Sequence, residues 1–322
     1  SYEYRERQYV NKIALEYQYA IGNGGLKIKL PISIEKKQLE FQQHGNSVNV
    51  NRLYYLPEFN VSFSRNTQAY AYQLIAYEYA ERSPTLYNLI AINNTTNPLL
   101  VQQGNPNLKK EGAHRITGQY YLPKGMNYHT VLVMATFMQN AVAQSSTFDM
   151  ATGKTIMQPR NINGNYTIGT NLKNRLYFNK KATSSIENNF SFDVANSVDY
   201  IALTTQRDAV KNKVFTRTIK EQLTYDQSFW QQRIRFSLSA FCHYNRSTSK
   251  RIGFETMNSF DFGGKMVLNL DLPWSLSLST DLNAVSRRGY NYSEMNTSEY
   301  LWNARLTKAF GERIQIQIDE HD

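Results

Sequence analysis

Five histidines, His44, His114, His129, His243 and His321, are the side chains best suited to moving protons or holding metal near neutral pH. Their spacing gives neither an i, i+4 pair nor a His-Glu-x-x-His run, so no zinc-protease helix is encoded. The sequence has no Gly-x-Ser-x-Gly elbow and no phosphate-binding Walker loop. Asp193, Glu221, Asp261, Asp271 and Asp281 are carboxylates that a glycosidase could pair across a sugar. They fall at polar positions of alternating segments, where a wet channel wall uses the same residues, and that reading takes precedence. No catalytic set, cofactor site or metal site is expected. Arg287, Arg288, Tyr290 and Tyr292, with Tyr300 nearby, offer a different chemistry. Their rings can stack on sugars or peptides beside guanidinium groups that hold acids. The segment 286–299 is therefore a candidate ligand-facing loop, although a solvated loop rim has the same composition.

These residues need a scaffold, and alternation supplies it. Ile13, Leu15, Tyr17, Tyr19 and Ile21 alternate with small or polar residues, and after a glycine-rich turn Leu26, Ile28, Leu30, Ile32 and Ile34 do the same. The pattern returns in Phe190, Phe192 and Val194, in Ile234 to Cys242, in Leu268 to Leu278, and in Ile314, Ile316 and Ile318. About 14 such period-two segments and no helical stripe predict an all-β chain. The segments run roughly 10 to 18 residues, longer than the 5 or 6 of soluble strands and enough to cross a bilayer when tilted.

Connections at 22–25, 65–68, 123–127, 179–182, 230–233, 272–275 and 311–313 are short. They alternate with longer ones at 44–52, 81–112, about 145–155, 197–212, 247–255 and 286–299. Transmembrane barrels have this rhythm, with tight turns at one end and long loops at the other. Aromatic residues border most of the short turns: Tyr19, Phe63, Tyr70, Tyr121, Tyr128, Phe178, Phe229, Trp230, Trp274 and Phe310. A ring with a polar tip suits a membrane–water interface. The expected fold is an antiparallel up-and-down transmembrane β-barrel, each strand paired with its neighbour in sequence.

Composition agrees. The 322 residues include 23 Tyr and 16 Phe, too many for a disordered chain. The mean hydropathy is -0.55 and no run approaches the roughly 18 apolar residues of a membrane-crossing helix, which excludes that class, but strands that show lipid only every second residue keep such a value low. The net charge of +10 is scattered among strands (Lys27, Lys29, Lys36, Lys37, Arg233 and Arg235) rather than gathered in a basic arm, so nucleic acid is not an expected partner. The single cysteine, Cys242, excludes an internal disulfide and reads as a small apolar residue.

The longest connection carries the most specific signal. Arg82-Ser83-Pro84-Thr85-Leu86-Tyr87 opens it, Asn97-Pro98-Leu99 turns it, and Gly104-Asn105-Pro106-Asn107-Leu108-Lys109-Lys110-Glu111 closes it ahead of a strand ending in Tyr120-Tyr121. Each proline lacks an N–H and keeps its preceding Asn out of the helical region, which fixes corners at 97–98 and 105–106. Gly104 is expected to adopt an angle other residues resist, and Glu111 to accept turn amides or pair with a cation. Leu86, Leu89, Ile90, Ile92, Leu99, Leu100 and Leu108 would be wasted in water, so the loop should fold over the barrel mouth. Arg82, Pro84, Gly104, Asn105, Pro106 and Glu111 are thus expected to shape the loop rather than touch a ligand.

This run resembles the long extracellular loop of TonB-dependent receptors, the outer-membrane β-barrel proteins common in Bacteroidota. The resemblance implies a barrel of about 22 strands in the outer membrane of a Gram-negative bacterium, plugged by an N-terminal domain and importing a ligand. It implies as partners outer-membrane lipid, the TonB complex through the N-terminal part, and a surface lipoprotein. With Ser1 first and a strand pattern at the C-terminal end, residues 1–322 are expected to be an incomplete barrel domain, with the plug and first strands upstream and the last strand downstream. A passive, porin-like or structural barrel is the alternative, and a soluble β-rich polysaccharide-binding protein a more distant one.

Overall fold

In the computed structural model, residues 2–43, 46–67, 70–90, 99–202, 210–251, 253–311 and 314–321 are described. The strands are β1 (Tyr2–Ile21), β2 (Gly24–Gln43), β3 (Asn46–Asn66), β4 (Tyr72–Arg82), β5 (Leu100–Gln102), β6 (Glu111–Lys124), β7 (Asn127–Gln139), β8 (Ala141–Asp149) and β9 (Lys154–Ile162). They continue as β10 (Tyr166–Tyr177), β11 (Ser184–Ala202), β12 (Val210–Phe229), β13 (Ile234–Ser249), β14 (Met257–Leu272), β15 (Leu276–Arg288), β16 (Ser298–Phe310) and β17 (Ile314–His321). All 17 strands belong to one sheet, and among the described residues there is no α-helix.

Fourteen of the 17, all but β5, β8 and β9, form an antiparallel meander. Each pairs with the next, with β4 joining β6 and β7 joining β10 across the insertions. The architecture is barrel-like but open, since β1 and β17 share no pairing among the described residues.

Register explains why the sheet has two unlike faces. Ile13 lies opposite Ile32, Tyr17 opposite Ile28, Ile28 opposite Val61, and Val61 opposite Tyr77. Met266 is likewise flanked by Leu238 and Leu282, and Leu306 by Leu278 and Ile318. Because side chains alternate with period two, these partners all project on one side, and a slip of one residue would scatter them. This apolar face is uncovered: Leu15 is 69% exposed, Ile13 68%, Ile75 67% and Ile318 63%. The opposite face carries Lys12, Glu16, Asn171, Glu187, Lys220, Lys265, Asp281 and Arg305, tied by ion pairs such as Lys173–Glu187 at 3.2 Å and Arg175–Glu187 at 3.0 Å.

At the short-turn end, Trp274 is 83% exposed, Trp230 76% and Tyr70 90%. All three have left-handed φ, at 63°, 48° and 63°. Non-glycine residues seldom occupy that region, so the tight turns carry local strain.

Three expectations need correction. Residues 46–52 are not a connection but the start of β3, paired as far as Asn46 with Gln43, because β2 and β3 extend together as a long hairpin. The connection expected near 145–155 is only the tip of an inserted hairpin, β8–β9, which occupies most of 140–165. Nor is the pairing wholly antiparallel between neighbours. β5 runs parallel to β9, and β8 runs parallel to the end of β11.

Since β7 and β10 pair directly over Tyr166–Arg175, the β8–β9 hairpin is not inserted between wall strands and joins the wall's ladder only where β8 pairs with Tyr200–Ala202 of β11. Replacing residues 142–161 with a short Gly-Ser link should preserve the strand signal in circular dichroism, with a small shift in melting. Loss of the cooperative transition would show that the hairpin is part of the wall.

Candidate functional site

The polar face holds a recess of about 380 Å³ where β10 to β15 run side by side. Asn171, Asn189, Ser191, Lys220, Gln222, His243, Asp261 and Arg287 line it. Alternation places them there: Asn171 faces Ser191, His243 faces Asp261, and Asp261 faces Arg287 across successive ladders. Asp261 is the centre of the cluster. Its carboxylate accepts the Tyr290 hydroxyl at 2.8 and 3.0 Å, and His243 Nδ1 stands 4.0 Å away. Burial, then the bond to Asp261 and its charge, push the Tyr290 phenol above its ordinary value. It therefore remains a proton donor through neutral and mildly alkaline pH. Arg287 donates to Thr297 at 3.3 Å and to Glu299, and Lys220 is exposed toward the same recess. Amides, a hydroxyl, two cations and one carboxylate within one wall can bind a polar, hydroxyl- or amide-rich solute.

The candidate loop residues divide between the two faces. Arg287 lines the recess and Tyr290 bonds to its Asp261, whereas Arg288 and Tyr300 belong to the apolar face, opposite Phe260 and Ala284. Tyr292 stands at the loop tip, 73% exposed. The grouping fails because a period-two strand sends consecutive residues to opposite sides. Of the carboxylates, Asp271 and Asp281 pair with Arg235 at 3.0 Å and Lys265 at 3.7 Å. Glu221 borders the recess, but its register turns it away from the polar wall. It faces Phe190 and Cys242 on the apolar side, where it accepts from Asn188. Asn174 donates to Asn188 at 3.5 Å and His129 shares a 2.9 Å bond with Asn174, so a polar ladder crosses four strands of that face. His243 and Lys220 had no motif to reveal them, since only the fold brings them to Asp261.

The long loop is anchored above the same face. Leu86, Leu89, Ile90 and Leu108 bury themselves with Leu39 and Phe41 of β2. Beneath them a buried Glu35–Lys37 pair at 3.7 Å is satisfied by the loop: Ser83 donates to Glu35, and the Pro84 carbonyl accepts from Lys37 at 3.4 Å. Asn105 donates to the Pro159 carbonyl at 2.9 Å and accepts from the Asn107 amide, while the Pro106 carbonyl accepts from Arg52 at 3.3 Å. Glu111 accepts the Val142 amide, and Arg82, exposed, faces it across the β4–β6 ladder. The corner at Asn97-Pro98 and Ile92 lie outside the described residues. Gly104 is used differently from expectation. Its φ is not left-handed; instead a Cβ there would stand 2.2 Å from the Ile90 backbone, so what glycine permits is close approach.

Among the described residues, no group of three or more His, Cys, Asp or Glu side chains is placed to hold a metal. Comparison with protein-family models, with curated proteins and with solved structures finds no match to this chain.

Two outcomes are expected. Gly104→Ala should cost about 1–3 kcal/mol through overpacking and expose 81–112 to limited proteolysis, with β12–β16 unaffected. Tyr290→Phe and Asp261→Asn should each speed amide exchange across 289–297 severalfold, corresponding to a hydrogen bond worth about 1 kcal/mol, and the double variant should add little. Because the folded phenol's pKa is raised, its contribution is complete below the free value of 10.0 and is lost as pH passes the folded value. The loop's protection should therefore drop only at strongly alkaline pH, and Tyr290→Phe should remove that step.

Proposed function

We propose that this chain is the barrel part of an outer-membrane transport receptor, with lipid against its apolar face and a polar solute taken up along the other. The observation that carries the reading is the uncovered apolar face, continuous in register from β1 to β17 on a sheet whose other side is charged. Monomeric soluble proteins rarely leave apolar patches larger than a few hundred Å² facing water, and here the whole wall does so. Tight, aromatic-bordered turns at one end and long connections at the other orient it, with the loops outside. TonB-driven import is supported by the Arg-Ser-Pro and Gly-Asn-Pro-Asn-Leu-Lys-Lys-Glu motifs and their likeness to that receptor class. The recess around Asp261, beneath a loop held by Tyr290, offers a place for solute. No residue is assigned a catalytic role.

Neighbouring residues on opposite faces give the test. Leu282 lies midway along β15 on the apolar face and Asn283 on the polar one. Leu282→Arg should lower the unfolding free energy in lipid vesicles by about 2–4 kcal/mol, and Asn283→Arg by less than about 1 kcal/mol. Equal effects, or recovery of the full protein in the soluble fraction without detergent, would sink the membrane reading. Uptake that persists in a strain lacking TonB would leave a passive barrel instead.

A further inference from the structure

On the apolar face, Arg217 of β12 and Arg246 of β13 stand directly opposite each other. Like charges at such a pair are destabilising unless an anion lies between them. Neither has a carboxylate partner among the described residues. Arg246 is exposed, and Arg217 lies over the Phe215 ring at 5.1 Å. Arg288 of β15 shares their face and level. Its guanidinium is fixed by the carbonyls of Arg287 at 2.7 Å and Thr297 at 2.8 Å and by Ser298 Oγ at 2.9 Å. Three of its five N–H groups are used there, leaving two for a ligand. Glu221, four residues along β12 from Arg217 on the same face, is engaged by Asn188, whereas Asp261 and Glu299 of the adjoining strands project on the opposite face.

The level of this row is informative. Arg217 is 12 residues along its strand from Phe229, Arg246 is 12 from Ile234, and Arg288 is 12 from Leu276. At about 3.3 Å per residue and a tilt near 45°, that distance is about 28 Å of height, the thickness of a hydrocarbon layer. The arginines thus sit where acyl chains give way to headgroups at the long-loop end.

We infer that Arg217, Arg246 and Arg288 form a binding site for the phosphate of a lipid headgroup in the outer leaflet. This rests on the apolar face meeting lipid. Guanidinium forks match phosphate oxygens in geometry as well as charge, and a shared phosphate between Arg217 and Arg246 removes their repulsion.

The test uses the full protein reconstituted in phosphatidylcholine vesicles with and without phosphatidic acid, then extracted gently for native mass spectrometry. Wild type should retain phosphatidic acid in preference to phosphatidylcholine. Arg217→Ala/Arg246→Ala should weaken retention by about 5-fold per arginine, and Arg288→Ala alone by about 5-fold. Arg217→Lys/Arg246→Lys keeps the charge and should retain part of the preference. Lys180→Ala/Lys181→Ala, which removes two charges at the short-turn end, should change nothing. No preference in wild type, or equal losses in the arginine and lysine pairs, would overturn the site while leaving insertion intact. Failure to float with vesicles of either composition would overturn the lipid-facing reading itself, and the site with it.

Discussion

Every feature of this protein depends on the backbone ladder between neighbouring strands. A peptide N–H or C=O left unpaired in hydrocarbon costs several kcal/mol, so a lipid-facing sheet is tolerated only where each strand is hydrogen-bonded on both sides. Along the meander each strand from β2 to β16 has a paired neighbour on both sides, over its full length in some and only part of it in others, as where β3 meets β4 at Glu58–Asn66. Once the ladder is fixed, period two sorts every strand side chain to one of two faces. The apolar rows and the charged rows then follow without a conventional core. The sheet stays open at β1 and β17, which share no pairing among the described residues. Glu221 obeys the same rule: a carboxylate on the apolar face is tolerable because Asn188, Asn174 and His129 extend a chain of hydrogen bonds toward the short-turn end.

The residues packed as a core belong to the loops. Leu39 and Phe41 lie on the polar face of β2, where apolar groups would be misplaced without the 83–108 segment above them. The polar groups below that contact are closed over as well, since Ser83 donates to Glu35, which also accepts from Gln8, and the Pro84 carbonyl accepts from Lys37. A buried ion pair contributes little net stability, but removing one partner is strongly destabilising. The pair therefore fixes where the loop sits more than it strengthens it. β5 against β9, and Asn105 against Pro159, lock the loop to the inserted hairpin, making one cap from two connections.

The strands were legible because alternation is a local signal that neighbouring strands repeat. Ile13 to Ile21 and Leu26 to Ile34 declare both their conformation and their shared face. The start of β3 was not legible: His44-Gly45-Asn46-Ser47 has turn composition, and only pairing with β2 turns Asn46 to Arg52 into strand. The β8–β9 insertion hid for a related reason, since its strands alternate like wall strands and differ only in what they pair with. At the candidate site, Arg287 and Tyr290 could be picked out by residue type. Their separation from Arg288 and Tyr300 required the register, and His243 and Lys220 required the fold. Gly104 shows a further limit, because glycine's role there is proximity to Ile90, a contact across 14 residues of chain.

The two loops above the polar face differ in what holds them. The 83–110 connection buries apolar side chains and is stapled to β2, β3 and β9. The 289–297 connection buries none; Asn296 bonding to Tyr290 and Tyr292, and Tyr290 bonding to Asp261, account for much of its order. Segments with few buried apolar contacts open at low free-energy cost. On the proposed transport reading, a solute that hydrogen-bonded to Asp261 would compete with the Tyr290 hydroxyl, and occupancy of the recess would be linked to release of the loop through one carboxylate.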